Sequence, residues 1–217
     1  MVSYNAANND HHDAIAEMAS EIFPERLSEE KKIQPAIFIY AGQESVPYDK
    51  SSIPDRIIGH VNSTTYSQSP YTTRLYHYQS VFTKPLDILS HSGNARTELF
   101  IAFDPTQISP DDIRILSTGK SVDDGLLHFD HKGGVYALLG IRTTLTAVSS
   151  VHLDSFDPEN ARSQLNRLTN TIRTDAHNHY LTIHNSVYIG DFNIRVKRGK
   201  IISRNLFMSG YIELTLP

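Results

Sequence analysis

The sequence predicts an α/β (α+β) fold, a β-sandwich of two mixed sheets flanked by helices. Three observations carry that expectation. Short runs rich in Val, Ile, Tyr, Phe and Thr recur at strand length between turn-forming residues. Only two segments show the apolar spacing of a helix. No internal repeat or low-complexity linker divides the 217 residues, so a single layered domain over 1–217 is expected.

Val2-Ser3-Tyr4-Asn5 opens the chain as a short strand ending in a carboxamide. From Asp10 to Phe23, residues Ile15, Met18, Ala19, Ile22 and Phe23 fall on one helical stripe, with Asn8, Asn9 or Asp10 as the cap and Pro24 as the stop. Residues 36–44, Ala-Ile-Phe-Ile-Tyr-Ala-Gly-Gln-Glu, read as a buried strand closing on Gln43-Glu44. Between 45 and 74, Ser, Thr, Pro and Tyr imply long loops. Strands are expected near 75–83, 86–90, 98–103, 113–117, 125–130 and 134–142, and another within 145–155 that delivers His152. Pro158 suits the first turn of a helix reaching Asn178, with Ala161, Leu165, Leu168 and Ile172 on its buried face. Residues 186–196, Ser-Val-Tyr-Ile-Gly-Asp-Phe-Asn-Ile-Arg-Val, form the last strong strand signal.

Composition excludes more than it identifies. No apolar run approaches the roughly 18 residues that span a bilayer. Met1 is followed by a strand pattern without a basic region and apolar core of a signal peptide, so the cytoplasm is the default location. Zero cysteines exclude disulfides and thiolate chemistry. A formal net charge of −4 argues against general nucleic-acid binding, which draws on Lys and Arg neutralising phosphates. One basic cluster, Arg195-Val196-Lys197-Arg198-Gly199-Lys200, suits either a solvated loop or an anionic headgroup at a membrane surface. The pairs in His11-His12-Asp13 and His177-Asn178-His179 match no zinc spacing and read as solvated helix ends.

The chemistry concentrates where strands end. Asp191 and Asn193 are spaced i, i+2, which on extended backbone points both side chains the same way, and Gly190 leaves room beside them for a ligand. The plain alternative is a strand-to-turn signal, because Gly, Asp and Asn are all turn formers. Asn5, Gln43-Glu44 and His152 likewise stand at strand ends, where each has an ordinary reading as a cap, turn or structural residue. Lys132, flanked by turn formers, reads by itself as a hairpin-loop residue.

Taken in order, Asn5, Gln43-Glu44, His152-Leu153 and Gly190-Asp191-Phe192-Asn193 resemble the endonuclease/exonuclease/phosphatase superfamily of Mg²⁺-dependent phosphoesterases. His131-Lys132-Gly133-Gly134-Val135 is similar to the Asn-Lys-Gly-Gly-Val of its inositol polyphosphate 5-phosphatases, with His131 in place of Asn. Gly190-Asp191-Phe192-Asn193-Ile194-Arg195 is similar to their Gly-Asp-Leu-Asn-Tyr-Arg. His152-Leu153-Asp154-Ser155 fits the Thr-His-Leu-Asp of the nuclease branch equally well. The resemblance runs from residue 2 to 196. The family's closing Ser-Asp-His has no counterpart in 197–217, which hold no His, and its Pro-Ala-Trp-Cys-Asp-Arg segment cannot occur in a chain without Trp or Cys. A C-terminally incomplete sandwich, weak or inactive as a phosphatase, is therefore expected.

The resemblance implies a role for each residue. Glu44 would ligate Mg²⁺, with Asn5 beside it or at a phosphate oxygen. Asp191 would orient and deprotonate the attacking water, Asn193 would hold Asp191 or a phosphate oxygen, and His152 would donate to a non-bridging oxygen. Lys132 and Arg195 would contact substrate phosphates. The implied partner is an inositol phosphate or phosphoinositide headgroup, with peripheral membrane contact; nucleic acid is less favoured. Residues near 206–215 would leave an apolar sheet edge open to self-association. Three functions remain in view: a phosphoinositide phosphatase, a nuclease of the same chemistry, and a catalytically dead remnant that binds a phosphorylated ligand or a protein.

Overall fold

Strand-length runs of β-branched and aromatic residues assemble into two sheets, both mixed, in the computed structural model, which describes residues 1–5, 36–45, 73–81, 96–105, 107–122, 132–193 and 212–213. The first sheet has the order β1-β2-β4-β3, with β1 Val2–Asn5, β2 Ile37–Ser45, β3 Thr73–Val81 and β4 Arg96–Phe103. The second has the order β5-β6-β7-β8-β9, with β5 Ile113–Val122, β6 Gly133–Ile141, β7 Thr144–His152, β8 Asn185–Asp191 and β9 Ile212–Glu213. Neighbours run antiparallel except for β1 with β2 and β7 with β8.

A parallel pair needs a crossover. For β7 and β8 it is α1, Pro158–Asn178, the helix expected from its apolar spacing. Asp157 caps it by accepting from the Glu159 amide, and Pro158 occupies the first turn, where its missing N–H costs nothing. Ala161, Leu168, Ile172 and Ala176 are buried against the second sheet, joined by Gln164, whereas Leu165 is only partly buried. His179 ends the helix, paired with Asp175 at 3.3 Å and half exposed, as a solvated terminus should be.

Alternation along the strands divides the core into two layers. Tyr136, Leu138, Ala147, Val151 and Tyr188 face α1. Ile39, Ala41, Leu99, Ile101, Val135, Ala137, Val148 and Ile189 fill the space between the sheets. Gly134 sits under the helix because a methyl there would come within 2.6 Å of Leu168.

Several boundaries differ from expectation: β5 runs on to Val122 where 113–117 was expected, and β3 begins at Thr73, inside the stretch expected as loop. β7 stops at His152 and β8 at Asp191, so Leu153 to Ser155 and Phe192-Asn193 are not strand. Asn193 has φ +50, in the left-handed region, and the extended spacing expected to align it with Asp191 does not hold. Turn chemistry wins locally because an Asn side chain tolerates that conformation and can bond to backbone. Within 206–215, Ile212–Glu213 pairs with β8. The expected helix at 10–23, the loops between 46 and 72, the strands at 86–90 and 125–130, His11 to Asp13, His131 and the basic cluster 195–200 lie outside the described residues.

Candidate functional site

Three strands carry the same sequence logic on their shared inner face. β2 presents Ile39, Ala41 and Gln43; β7 presents Val148, Ser150 and His152; β8 presents Val187, Ile189 and Asp191. Each series passes from apolar to polar as it leaves the core. The period of two that buries the first members therefore brings the last ones to the same mouth of the sandwich.

Beneath that mouth lies a polar layer. Gln43, 1% exposed, donates through Nε2 to the Ala41 carbonyl at 3.0 Å and to Ser150 Oγ at 3.2 Å. Ser150 Oγ in turn donates to the Gly42 carbonyl at 3.4 Å, which ties the two sheets together. Gln43 also packs on Gly190, whose φ of +140 suits glycine: a methyl there would strike the Val151 carbonyl and stand 2.9 Å from Gln43 Nε2. The end of β2 and the Gly-Asp end of β8 are therefore adjacent. Asn5 is in register with Gln43, and Glu44 follows it on β2, so the backbone sets both at this end of the molecule.

Above that layer, β7 is paired on both sides. His152 is opposite Gly133 on β6 and opposite Asp191 on β8. Lys132, one residue before β6, reaches across so that its Nζ lies 2.6 Å from His152 Nε2, with both side chains buried. A lysine read as a loop residue or a phosphate contact is thus packed against the imidazole. Asp191 Oδ1 accepts from the Asn193 amide at 2.9 Å. The Asn193 carboxamide donates to the Leu153 carbonyl at 2.7 Å, and the Leu153 amide donates to the Asp191 carbonyl at 2.9 Å. Asn193 therefore holds Asp191 through backbone, and its side chain clamps the turn after β8 to the turn after β7. Arg195 lies outside the described residues.

Asp154 anchors the loop behind His152. Its carboxylate accepts from the amides of Phe156 at 2.7 Å and Asp157 at 3.2 Å and from Asn160 Nδ2 at 2.7 Å, while its own amide donates to Gln164 Oε1 at 2.8 Å. Burial acts to raise the Asp154 carboxyl; those hydrogen bonds and the charge of Lys132 outweigh it and hold it below the ordinary carboxylate value. The same loop turns Phe156 outward, 84% exposed.

Gln43, Ser150 and Asp154 carry weight that reading the strand ends alone passes over. Alternation from Ile39 and from His152 marks the first two as inward-facing. An acidic residue shortly before a helix marks the third. Among the described residues no three His, Asp or Glu side chains stand together as a metal cluster. The residues at the mouth do fit a hard divalent cation in kind: Glu44, Asn5, Asp191 and Asn193 all offer oxygen donors.

No family model matches the chain, and no curated protein matches it by sequence. Solved structures do. The inositol polyphosphate 5-phosphatase domain of SPsynaptojanin, in complex with inositol (1,4)-bisphosphate and a calcium ion, matches with a TM-score of 0.58 at 15% identity, over 89% of this chain and 51% of that one. TDP2 from Caenorhabditis elegans matches with a TM-score of 0.48 at 15% identity over 90% of this chain and 48% of that one. ANGEL2, a 2',3'-cyclic phosphatase, matches with a TM-score of 0.45 at 19% identity over 71% and 39%. The chain thus spans about half the length of these structures or less. The first likeness shows the fold: this chain has a two-sheet sandwich like that of the 5-phosphatase domain.

Proposed function

We propose that this chain is a metal-dependent phosphoesterase of the inositol polyphosphate or phosphoinositide phosphatase kind, working at the mouth where β1, β2, β7 and β8 end. The observation that carries the reading is the cross-strand pairing of His152 with Asp191, next to the Gln43 end of β2. A carboxylate and an imidazole on neighbouring strands suit attack by water on a phosphoryl group.

Asp191 is the general base, with one oxygen fixed by the Asn193 amide and the carboxylate thereby turned toward the incoming water. His152 donates a hydrogen bond to a non-bridging oxygen as charge develops there, and its burial keeps competing water away. Lys132 adds a fixed positive charge beside it. Glu44 and Asn5 would hold Mg²⁺, and the ion would supply charge neutralisation at the phosphoryl group. Arg195 contacts a neighbouring phosphate of the substrate, and the basic residues after it suit contact with an anionic lipid surface.

A second reading, cleavage of a phosphodiester in nucleic acid, draws on Phe156. An outward-facing ring four residues beyond His152 is suited to stacking on a base. Both readings meet in one assay. Phosphate release from a short-chain phosphoinositide is measured with Mg²⁺ and with EDTA, beside nicking of plasmid and cutting of single-stranded oligonucleotide. Mg²⁺-dependent release that Asp191→Asn lowers by about a thousandfold or more supports the first reading. Cutting without release favours the second. Ligand binding with neither activity identifies a phosphate-binding remnant and overturns both.

A further inference from the structure

Two neighbouring serines on β7, Ser149 and Ser150, are both fully buried, but only one is bonded to the opposite sheet. Ser149 faces α1, in register with Tyr136 and Tyr188, and its Oγ has no hydrogen-bond partner among the described residues. Ser150 faces the first sheet, where β2 engages its hydroxyl twice. The Ala41 carbonyl can only accept, so it is the nitrogen of the Gln43 carboxamide that faces it at 3.0 Å. The second proton on that nitrogen goes to Ser150 Oγ at 3.2 Å, which leaves the Ser150 O–H to donate to the Gly42 carbonyl at 3.4 Å.

This grip falls where β2 is least regular. Gly42 pairs with Glu98 on β4 and Ser45 with Arg96, so Gln43 and Glu44 together stand opposite Thr97 alone. A bulge of this kind bends the strand and interrupts its ladder, and the end of β2 needs another hold. Ser150 supplies one from the second sheet, at the residue before the bulge and at the first residue within it. On the other side, Gln43 packs on Gly190, directly before Asp191. Ser150 therefore acts on Glu44 through the backbone of β2 and on Asp191 through Gln43 and Gly190.

We propose that Ser150 is a positioning residue for the cation site, holding the bulged end of β2 against the Gly-Asp end of β8 so that Glu44 and Asp191 keep the separation a divalent ion needs. Apolar contact between sheets is non-directional, whereas hydrogen bonds fix position, and a functional constellation has to be held to within about 0.5 Å. The proposal rests on the phosphoesterase reading for the presence of the ion, not for the chemistry done with it.

The test uses Mn²⁺ as the probe, because free Mn²⁺ is counted directly by electron paramagnetic resonance in titrations of the whole chain. Measurements are made well below the melting temperature of each variant, so that a loss of stability alone does not move the affinity. Ser150→Ala is expected to weaken Mn²⁺ binding about tenfold to a hundredfold. Ser149→Ala removes the same group one residue away at the same burial, and is expected to change binding less than about twofold. In a Gln43→Met background, Ser150→Ala is expected to weaken binding less than about threefold further, since the serine acts largely through that carboxamide.

Equal affinity in Ser150→Ala and the unsubstituted protein overturns the proposal and leaves the phosphoesterase reading untouched. An equal loss in Ser149→Ala overturns it as well, as does an undiminished loss in the Gln43→Met background. If Ser150→Ala does not fold, Ser150→Cys takes its place; it keeps a side chain of similar size with only a weak donor and acceptor, and a loss of about threefold or more is expected. Failure of both to fold while Ser149→Ala folds makes Ser150 a structural residue and overturns its positioning role. Mn²⁺ binding without phosphate release, together with the expected loss in Ser150→Ala, ends the phosphoesterase reading and leaves the role of Ser150 standing. Absence of Mn²⁺ binding by the unsubstituted protein removes the cation site and the proposal with it.

Discussion

Gly190 shows how one residue can serve both fold and site. Its φ of +140 and its contact with Val151 and Gln43 let β8 pass close to β2, and Asp191 follows at once. Gly190→Ala is expected to cost about 3 kcal/mol or more, read as a lower urea midpoint, because left-handed strain and a clash with backbone act together. A loss under about 1 kcal/mol would show that the two strand ends are not held against each other. Asn193 illustrates the opposite lesson. Its role was legible as either turn former or functional residue, and the structure shows turn chemistry that itself fixes Asp191. Residue type announces both possibilities, and only the left-handed backbone at φ +50 tells them apart.

Among the elements, α1 was the most legible, since Pro158 and the repeating apolar residues give its span and put Ala161, Leu168 and Ile172 on its buried face, with Leu165 at the margin of that face. Leu168 is fully buried over Gly134, so Leu168→Ala should destabilise by about 2–5 kcal/mol in chemical denaturation. The loop that joins β7 to α1 was not legible in the same way. Its order comes from Asp154 gathering amides from Phe156 and Asp157 and the side chain of Asn160 in the first turn of the helix. Because the folded Asp154 carboxyl lies below its unfolded value of 3.8, its contribution to stability is present above that pH and fades as pH falls through the folded value. The stability gap between the parent chain and Asp154→Asn should therefore be larger at pH 5 than at pH 3, measured by urea midpoints. A gap that grows on acidification would contradict the hydrogen-bonded carboxylate.

At the scale of the whole molecule, the site depends on two sheets meeting with their strand ends aligned. Ligand that binds only the folded form raises its stability by mass action. Mg²⁺ at a hundredfold excess over its dissociation constant should raise the melting temperature by about 5–10 °C. Glu44→Gln and Asp191→Asn should each abolish most of that rise. A rise of equal size in both variants would place the cation elsewhere. No helix among the described residues is long and apolar enough to cross a membrane.

By itself the sequence determined most of the described strands, where α1 begins and ends, and which polar residues stand at the strand ends, because period and capping are local properties written in consecutive residues. It also carried the motif order whose resemblance matches the fold observed. Only the tertiary structure decided that Gln43 lies against Gly190, that His152 is set between Gly133 and Asp191, and that Lys132 turns inward to Nε2 of the imidazole. Those relations join residues 19 to 147 positions apart. They follow from strand register and from the packing of one sheet on the other, and neither is encoded in any single window of the chain.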